Sequence, residues 1–411
     1  MTDARPSVLI LGGGFAGTEV ARGLGDRAEV TLVASQNFLL FTPMLAEVAA
    51  ADLDPRHITA PLRQLCPKAR LVLGEVTGIE VARRAATVRL PLGPERRYQA
   101  DQLVLAVGSV QATFGVPGVE EWALPFKEIV DGLRIRNRLL SLMETAAETG
   151  DDLLTRVAVV GAGFSGAELS AALADLLAVA GPRFYPSAPR PVVHLVDAED
   201  RVTPMLPARL SRAARRALER RGVQLVLGKR VARVAPDGLE LEGGAFLRGG
   251  TVIWAAGVQP APLAAAAGLP LDARGRVRVD DRLQAAPGVF ALGDLAAVPD
   301  GFGGTCPPTA QHALRQGRYL GRHLLAVGNA PPFRYRTKGQ LVSLGHRNAV
   351  GMVMGINVSG FVAWWLWRTY YLRRLPTLFR KVRVAIDWAL DLFFPPDISE
   401  LPTSDLGPLP R

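Results

Sequence analysis

Cysteine is nearly absent from these 411 residues: there are two, Cys66 and Cys306, far apart in the chain. With no CxxC and no second pair they make neither a cysteine zinc site nor a vicinal redox disulfide, and two are too few for a disulfide scaffold. A long-range bridge between them stays open, and no metal centre is expected. Lysine is scarce too, five residues against 43 arginines. The chain opens MTDARPSVLILGGG, with an acid and no signal-peptide core ahead of a strand-like run, and is expected to stay in the cytoplasm rather than be exported. Hydrophobic residues at 49% and charged residues at 21% exclude a disordered or collagen-like chain. At about 150 residues per domain, the length allows two to three domains. The net charge is +10. It reads either as a basic surface for nucleic acid or anionic lipid, or as an arginine bias spread over an ordinary surface.

What is present is a repeated pattern. Ser7 to Leu11 is a short aliphatic and β-branched run, followed by Gly12-Gly13-Gly14-Phe15-Ala16-Gly17 and a helix-like stretch through Leu24. In a strand, G-x-G-x-x-G, helix unit, Gly12 makes the tight turn, Gly14 admits a pyrophosphate to the backbone, and Gly17 lets helix lie on strand. The diphosphate rests on the helix N-terminus, where free N–H groups and the macrodipole favour an anion. The next strand, Glu29 to Val33, ends in Ala34 and Ser35 where an acid for the ribose is the rule, leaving that contact to Ser35, a backbone group or water. The pattern returns at Arg156 to Val160, which runs into Gly161-Ala162-Gly163-Phe164-Ser165-Gly166 and a helix-like stretch from Glu168 to Val179. Its second strand, Val192 to Val196, ends in Asp197, a carboxylate that bonds a 2′-hydroxyl and repels a 2′-phosphate, favouring NADH over NADPH.

Two such units in one chain point to a flavin and a nicotinamide working as a relay. The strand-like runs Asp101 to Gly108 and Thr251 to Gly257 each end in small residues and a glycine, and read as crossovers between the domains. Gly288 to Asp294 ends in Gly293-Asp294, an acid able to accept a bond from a flavin's ribitol chain while a following helix N-terminus faces the pyrophosphate.

The segments LGGGFAGTEVARGL, FLLFTPMLAEVAA, FGVPGVEEWALPFKEIVDGLRIRNRLL, VVGAGFSGAELSAAL, TVIWAAGVQP, FALGDLA and PPTAQHALRQG, in this order, resemble the pyridine-nucleotide disulfide oxidoreductase superfamily. Within it they resemble the type II NADH dehydrogenases, or alternative NADH:quinone oxidoreductases. The resemblance implies an α/β chain with two Rossmann-like domains, the NADH domain inserted in the FAD domain, plus a C-terminal membrane-associating helical region. The implied boundaries are 1–115 and 281–335 for FAD, 116–280 for NADH, and 336–411 for the strand, amphipathic-helix anchor and tail. It implies a hydride passed from NADH to FAD and two electrons passed on to a quinone of the menaquinone or ubiquinone class, without proton pumping. The protein's own part in such a relay is orientation and electrostatics.

The implied site is assigned residue by residue. Gly12, Gly14, Gly17, Ser35, Gly293, Asp294 and Ala310 fall to FAD, and Gly161, Gly163, Gly166 and Asp197 to NADH. Glu168 matches a glutamate tied in the family to proton supply or nucleotide binding; otherwise it is a helix N-terminal acid favoured by the macrodipole. Thr309 to Gly317 resembles the quinone motif A-Q-x-A-x-Q-x-G: Gln311 matches its first glutamine, but Arg315 stands at the second, with a glutamine displaced to Gln316. His312 is either a proton donor or a satisfied structural histidine. Rival readings are a sulfide:quinone reductase, which needs flavin-side cysteines, a soluble NADH:acceptor reductase whose tail dimerises, and a flavoprotein that binds nucleic acid.

Residues 361 to 394 hold four of six tryptophans, six basic residues (Arg368, Arg373, Arg374, Arg380, Lys381, Arg383) and two acids, Asp387 and Asp391. A basic, aromatic-rich amphipathic helix lies in the membrane interface with Trp at headgroup depth and Arg on anionic phosphates. The expected partner is therefore an anionic membrane surface on the cytoplasmic face, with no nucleic acid, and a homodimer left open. The uncharged stretch from Asn348 to Trp367 reads as a strand and a helix start rather than a span, because glycines and polar residues interrupt it. After Pro395 the chain reads as a flexible end.

Overall fold

The structure is a computed structural model, and it describes residues 5–337 and 339–401. The helices that matter for the site are α1 (Phe15–Leu24), α2 (Leu45–Ala49), α3 (Ile129–Thr149), α4 (Phe164–Phe184), α5 (Ala208–Arg220), α6 (Ala310–His323), α7 (Phe361–Arg374) and α8 (Leu378–Leu390). The chain divides into two compact units, residues 1–40, 59–110 and 258–336 in the first, and 41–58, 111–257 and 337–411 in the second.

In the first unit a six-stranded sheet runs in the order 284–286, 289–291, 102–105, 7–11, 29–34, 70–73, parallel except for the edge pair 284–286 and 289–291. The central strands are near-continuous aliphatic runs because helices cover both faces of a parallel sheet. Ile10, Leu32, Leu105 and Phe290 are fully buried there. Helices α1 and α6 cross on glycines: a Cβ at Gly317 would stand 2.4 Å from Ala16 O, and one at Gly23 would stand 2.8 Å from Gly321 Cα. The Arg27 guanidinium donates to both Gly23 O and Gly321 O, satisfying carbonyls at two helix ends with one cation.

In the second unit a five-stranded parallel sheet runs 123–125, 251–254, 156–160, 192–197, 224–227. Val160 pairs with Val196 and Trp254, as Leu11 pairs with Val33 and Leu105, so both glycine loops leave their strands at one register. An antiparallel sheet of 339–343, 349–353 and 356–360 packs Val342, Leu344 and Val350 into the same core.

The units cut the chain differently from the expected boundaries. Residues 41–58 belong to the second unit because α2 packs on α3 and α4, with Gly132 admitting Leu45 and Val48, and the return to the first unit falls at 258. The stretch from Asn348 to Trp367 holds two strands and a helix start. Helix α4 is the one described helix long and apolar enough to cross a membrane, and it is mostly buried. The expected flexible end is split: Leu401 exchanges two hydrogen bonds with Asn137, and Ser141 donates to Glu400 at 2.8 Å, while 402–411 lie outside the described residues.

Candidate functional site

In the first unit, Gly12 takes φ +112°, and a Cβ there would stand 2.2 Å from Ala106 O. A Cβ at Gly17 would meet Gly12 O at 2.0 Å, whereas the space beside Gly14 is open. No side chain caps α1. The result is a turn of bare N–H groups at a helix N-terminus, open on the Gly14 side, which fits the diphosphate of FAD. Ala34 is buried and Ser35 exposed. Leu62 fills the space over Gly13.

Asp294 Oδ2 accepts from Ser109 Oγ at 2.9 Å, and Gly293 N donates to Gln316 Oε1 at 2.7 Å. The displaced glutamine thus turns into the protein and pins the Gly293-Asp294 turn to α6. Gln311 donates to the Tyr335 hydroxyl, and Arg315 lies over the Tyr335 ring at 5.3 Å. The His312 ring packs edge-on against the same tyrosine. His312 is buried, shares a 2.7 Å hydrogen bond with Thr309 Oγ1, and is held below the usual imidazole range by burial, so at neutral pH it carries no extra proton. The structural reading of His312 holds. Tyr335, on which three motif residues converge, escapes sequence reasoning because it comes from a loop some twenty residues downstream.

In the second unit Gly161 takes φ +107° with Ala255 O at 2.6 Å from a Cβ, Gly166 would meet Gly161 O at 1.8 Å, Gly163 is open, and α4 has no side-chain cap. This cradle fits a second dinucleotide by the same geometry. Asp197 accepts from Ala162 N and from Glu199 N, the latter at 2.8 Å, so it steadies the loop it borders. Glu168 stands beyond the first turn of α4, and burial pushes its carboxyl up to about 8, against the pull of Ser343 N–H at 3.0 Å. A macrodipole acid would be held low; this one keeps its proton at neutral pH.

Both thiols are free and buried, and burial pushes Cys66 up to about 11 and raises Cys306. Thiols so placed are unreactive, which removes the sulfide-oxidising reading and leaves no bridge.

The tail corrects three expectations. Trp364, Trp367 and Trp388 are buried, and only Trp365 among the four is exposed, because two short helices need a core of their own. Arg368 is interior, its guanidinium 4.1 Å and 4.6 Å from the rings of Trp364 and Trp388. Asp387 binds His57, and Asp391 lies 3.9 Å from Arg368. Of the other five cations Arg373 is exposed and Arg374, Arg380, Lys381 and Arg383 are half-buried, beside exposed Phe361, Trp365, Leu378 (76% exposed), Phe379, Ile386 and Phe393.

Two dinucleotide cradles of one design, a Gly-Asp turn held to a helix, and a proton-bearing carboxyl define a flavin- and nicotinamide-dependent oxidoreductase. Residues 6–317 match the family described as pyridine nucleotide-disulphide oxidoreductase, and residues 337–395 match the NDH2 C-terminal domain. A type II NADH:quinone oxidoreductase of Mycobacterium tuberculosis is 32% identical, over 94% of this chain and 88% of that one. The mitochondrial internal alternative NAD(P)H-ubiquinone oxidoreductase A1 of Arabidopsis thaliana is 30% identical, over 97% and 86%. The solved structure of Plasmodium falciparum NDH2 in complex with NADH shares the fold, with a TM-score of 0.90 at 18% identity over 96% and 100% of the two chains. The chain belongs to the pyridine nucleotide-disulphide oxidoreductase family and, within it, to the type II NADH:quinone oxidoreductases.

Proposed function

We propose that this chain oxidises NADH and reduces a membrane quinone, working from the cytoplasmic face of an anionic membrane. The observation that carries the reading is the pair of uncapped glycine cradles, one per unit, in a chain with the NDH2 C-terminal domain. FAD, when bound, supplies two-electron chemistry between nicotinamide and quinone. The protein's residues do the rest. Gly12, Gly14 and Gly17 seat one diphosphate on the α1 N-terminus, and Gly161, Gly163 and Gly166 seat the other on α4. Asp294, steadied by Ser109, serves the ribitol side, with Gly293 and Ala310 at the same end and Ser35 left as the ribose contact. Asp197 takes the adenosine ribose of NADH and rejects a 2′-phosphate. Glu168 supplies a proton. Gln311 and Arg315, braced on Tyr335, face the quinone: an amide and a cation both polarise a carbonyl oxygen toward reduction.

Stopped-flow mixing of the purified protein with NADH should bleach the bound-flavin absorbance, and a menaquinone or ubiquinone analogue should restore it. A flavin left oxidised by NADH rejects the assignment.

For the membrane, truncation after Gly360 would strip Trp364 and Trp367 from the core, so the test belongs on the outer surface. Burying two large side chains contributes about 3 kcal/mol or more, roughly a hundredfold in partition. Leu378→Asp with Phe379→Asp should therefore release the protein from anionic vesicles while NADH oxidation by a soluble acceptor persists. Undiminished vesicle binding would remove this surface from contention as the membrane contact.

A further inference from the structure

The second unit carries a cleft at the edge of its parallel sheet opposite the glycine loop. It encloses about 340 Å3 and is lined by Trp122, Leu124, Arg138, Pro236, Thr251 and Val252 among others. Thr251 and Val252 open the strand whose far end, Trp254, leads into Ala255 beside Gly161. Three residue steps of about 3.3 Å set the cleft roughly 10 Å from the cradle. Leu124 and Val252 are buried, Trp122 is half-buried and Pro236 exposed, so an apolar wall meets water on the Pro236 side. Two polar side chains in the cleft are left unmatched. Arg138 is half-buried, donates to Gly250 O at 3.3 Å, and has no ion-pair partner among the described residues. Burial lowers its guanidinium from the ordinary arginine value, and no carboxylate offsets this. The acids of the flanking segments are engaged elsewhere, Asp237 with Arg248 at 3.5 Å and Asp152 with Arg156. Thr251 is 4% exposed, and its hydroxyl closes no hydrogen bond. Gly249 N and Gly250 N are committed to Asp237 O at 3.0 Å and Leu153 O at 2.7 Å, so the open donors are on side chains. A buried hydroxyl without a partner calls for a ligand or a water molecule.

We propose that this cleft binds a small organic monocarboxylate, its carboxylate on Arg138 and the Thr251 hydroxyl and its hydrocarbon part against Trp122, Leu124 and Val252. The charge count selects the class. One guanidinium with no acid beside it balances one negative charge, and its planar fork matches the two oxygens of a carboxylate. A phosphate dianion would keep an unbalanced charge against apolar walls, which is costly. A neutral ligand of the same shape would leave the guanidinium as poorly matched as before. An apolar wall with a few convergent polar groups at one end is the usual make-up of a small-molecule site. The cleft lies at the opposite end of its strand from the dinucleotide cradle, so both can be filled at once. The site does not depend on the quinone reductase reading.

The test is calorimetric titration of the full, FAD-loaded protein with benzoate, a planar monoanion with an apolar body. Benzoate should saturate at one per chain, and saturating NAD+ should leave that binding unchanged. Inorganic phosphate and benzyl alcohol, which lack the apolar body and the charge respectively, should each bind at least tenfold more weakly. Arg138→Gln should weaken benzoate at least tenfold, and Arg138→Lys, which keeps the charge without the fork, should lose less. Thr251→Val keeps the side-chain shape and breaks no existing bond. It should weaken benzoate about threefold with the melting temperature held, and it keeps the test decisive if the Arg138 variants fail to retain flavin. Displacement of benzoate by NAD+, phosphate binding as tight as benzoate, or benzoate affinity unchanged in the flavin-loaded variants overturns the proposal.

Discussion

The loop after Leu11 and the loop after Val160 match in local geometry, and the strands beside them do not. Gly12 N and Gly161 N both donate at 2.8 Å to the neighbouring strand, at Val33 O and Val196 O, with φ values within a few degrees. At the end of that strand, Asp197 accepts two backbone N–H groups, while Ala34 stands near Leu62, whose Cδ1 would lie 2.6 Å from a Gly13 Cβ. An apolar plug fills in the first unit the space that a carboxylate commands in the second. The backbone cradle is therefore the shared part, and the two loops differ in the side chain that stands at the end of the neighbouring strand.

The harshest way to break the comparison is to add a methyl group to each loop. Alanine at Gly12 or Gly161 forces a Cβ into a carbonyl at a φ that L residues rarely adopt, a cost of about 1–3 kcal/mol or more before any ligand binds. Gly12→Ala should purify nearly free of flavin absorbance. Gly161→Ala should stay yellow but need at least tenfold more NADH, about 1.4 kcal/mol. If both variants lost the same cofactor, the two loops would not serve separate ligands.

A gentler substitution sharpens the difference. Asp197→Asn keeps an oxygen to accept from Ala162 N but removes the charge, so the cradle survives while repulsion of a 2′-phosphate is lost. The ratio of kcat/KM for NADH over NADPH should fall about tenfold, the scale of one charge-assisted hydrogen bond. An unchanged ratio would show that Asp197 serves only its own loop.

The parts legible in the sequence are those set by local physics. Glycine spacing after Leu11 and Val160 fixes a turn whatever surrounds it. The parts that were not legible depend on distant packing. Arg368 looks like every other arginine in its stretch until Trp364 and Trp388 close on it. The convergence of Gln311, His312 and Arg315 on Tyr335, and the burial that keeps Glu168 protonated, are likewise made by chain segments far away in sequence. Arg368, Asp387 and Asp391, indistinguishable in the sequence from the other charges of residues 361–394, take partners within the fold instead.

The smallest expected effect separates the units by their response to pH. In the first, Asp101 is held below its usual range by the Ser7 N–H and hydroxyl, so it adds stability above pH 3.8 that is lost as pH falls through its lowered folded value. In the second, the folded chain keeps protons on Glu47 and Glu168 that the unfolded chain has released above pH 4.5. Each therefore costs stability as pH rises from 4.5 toward its folded value, about 7 for Glu47 and about 8 for Glu168, and costs no more beyond it. Glu168→Gln removes one such cost while its amide oxygen still accepts from Ser343 N. Thermal melts of the FAD-loaded variant should show a gain of about 2 °C at pH 8 and none at pH 5. A loss of equal size at both values would mean that Glu168 is ionised throughout and held by the Ser343 bond, and the contrast between the units would then rest on Asp197 alone.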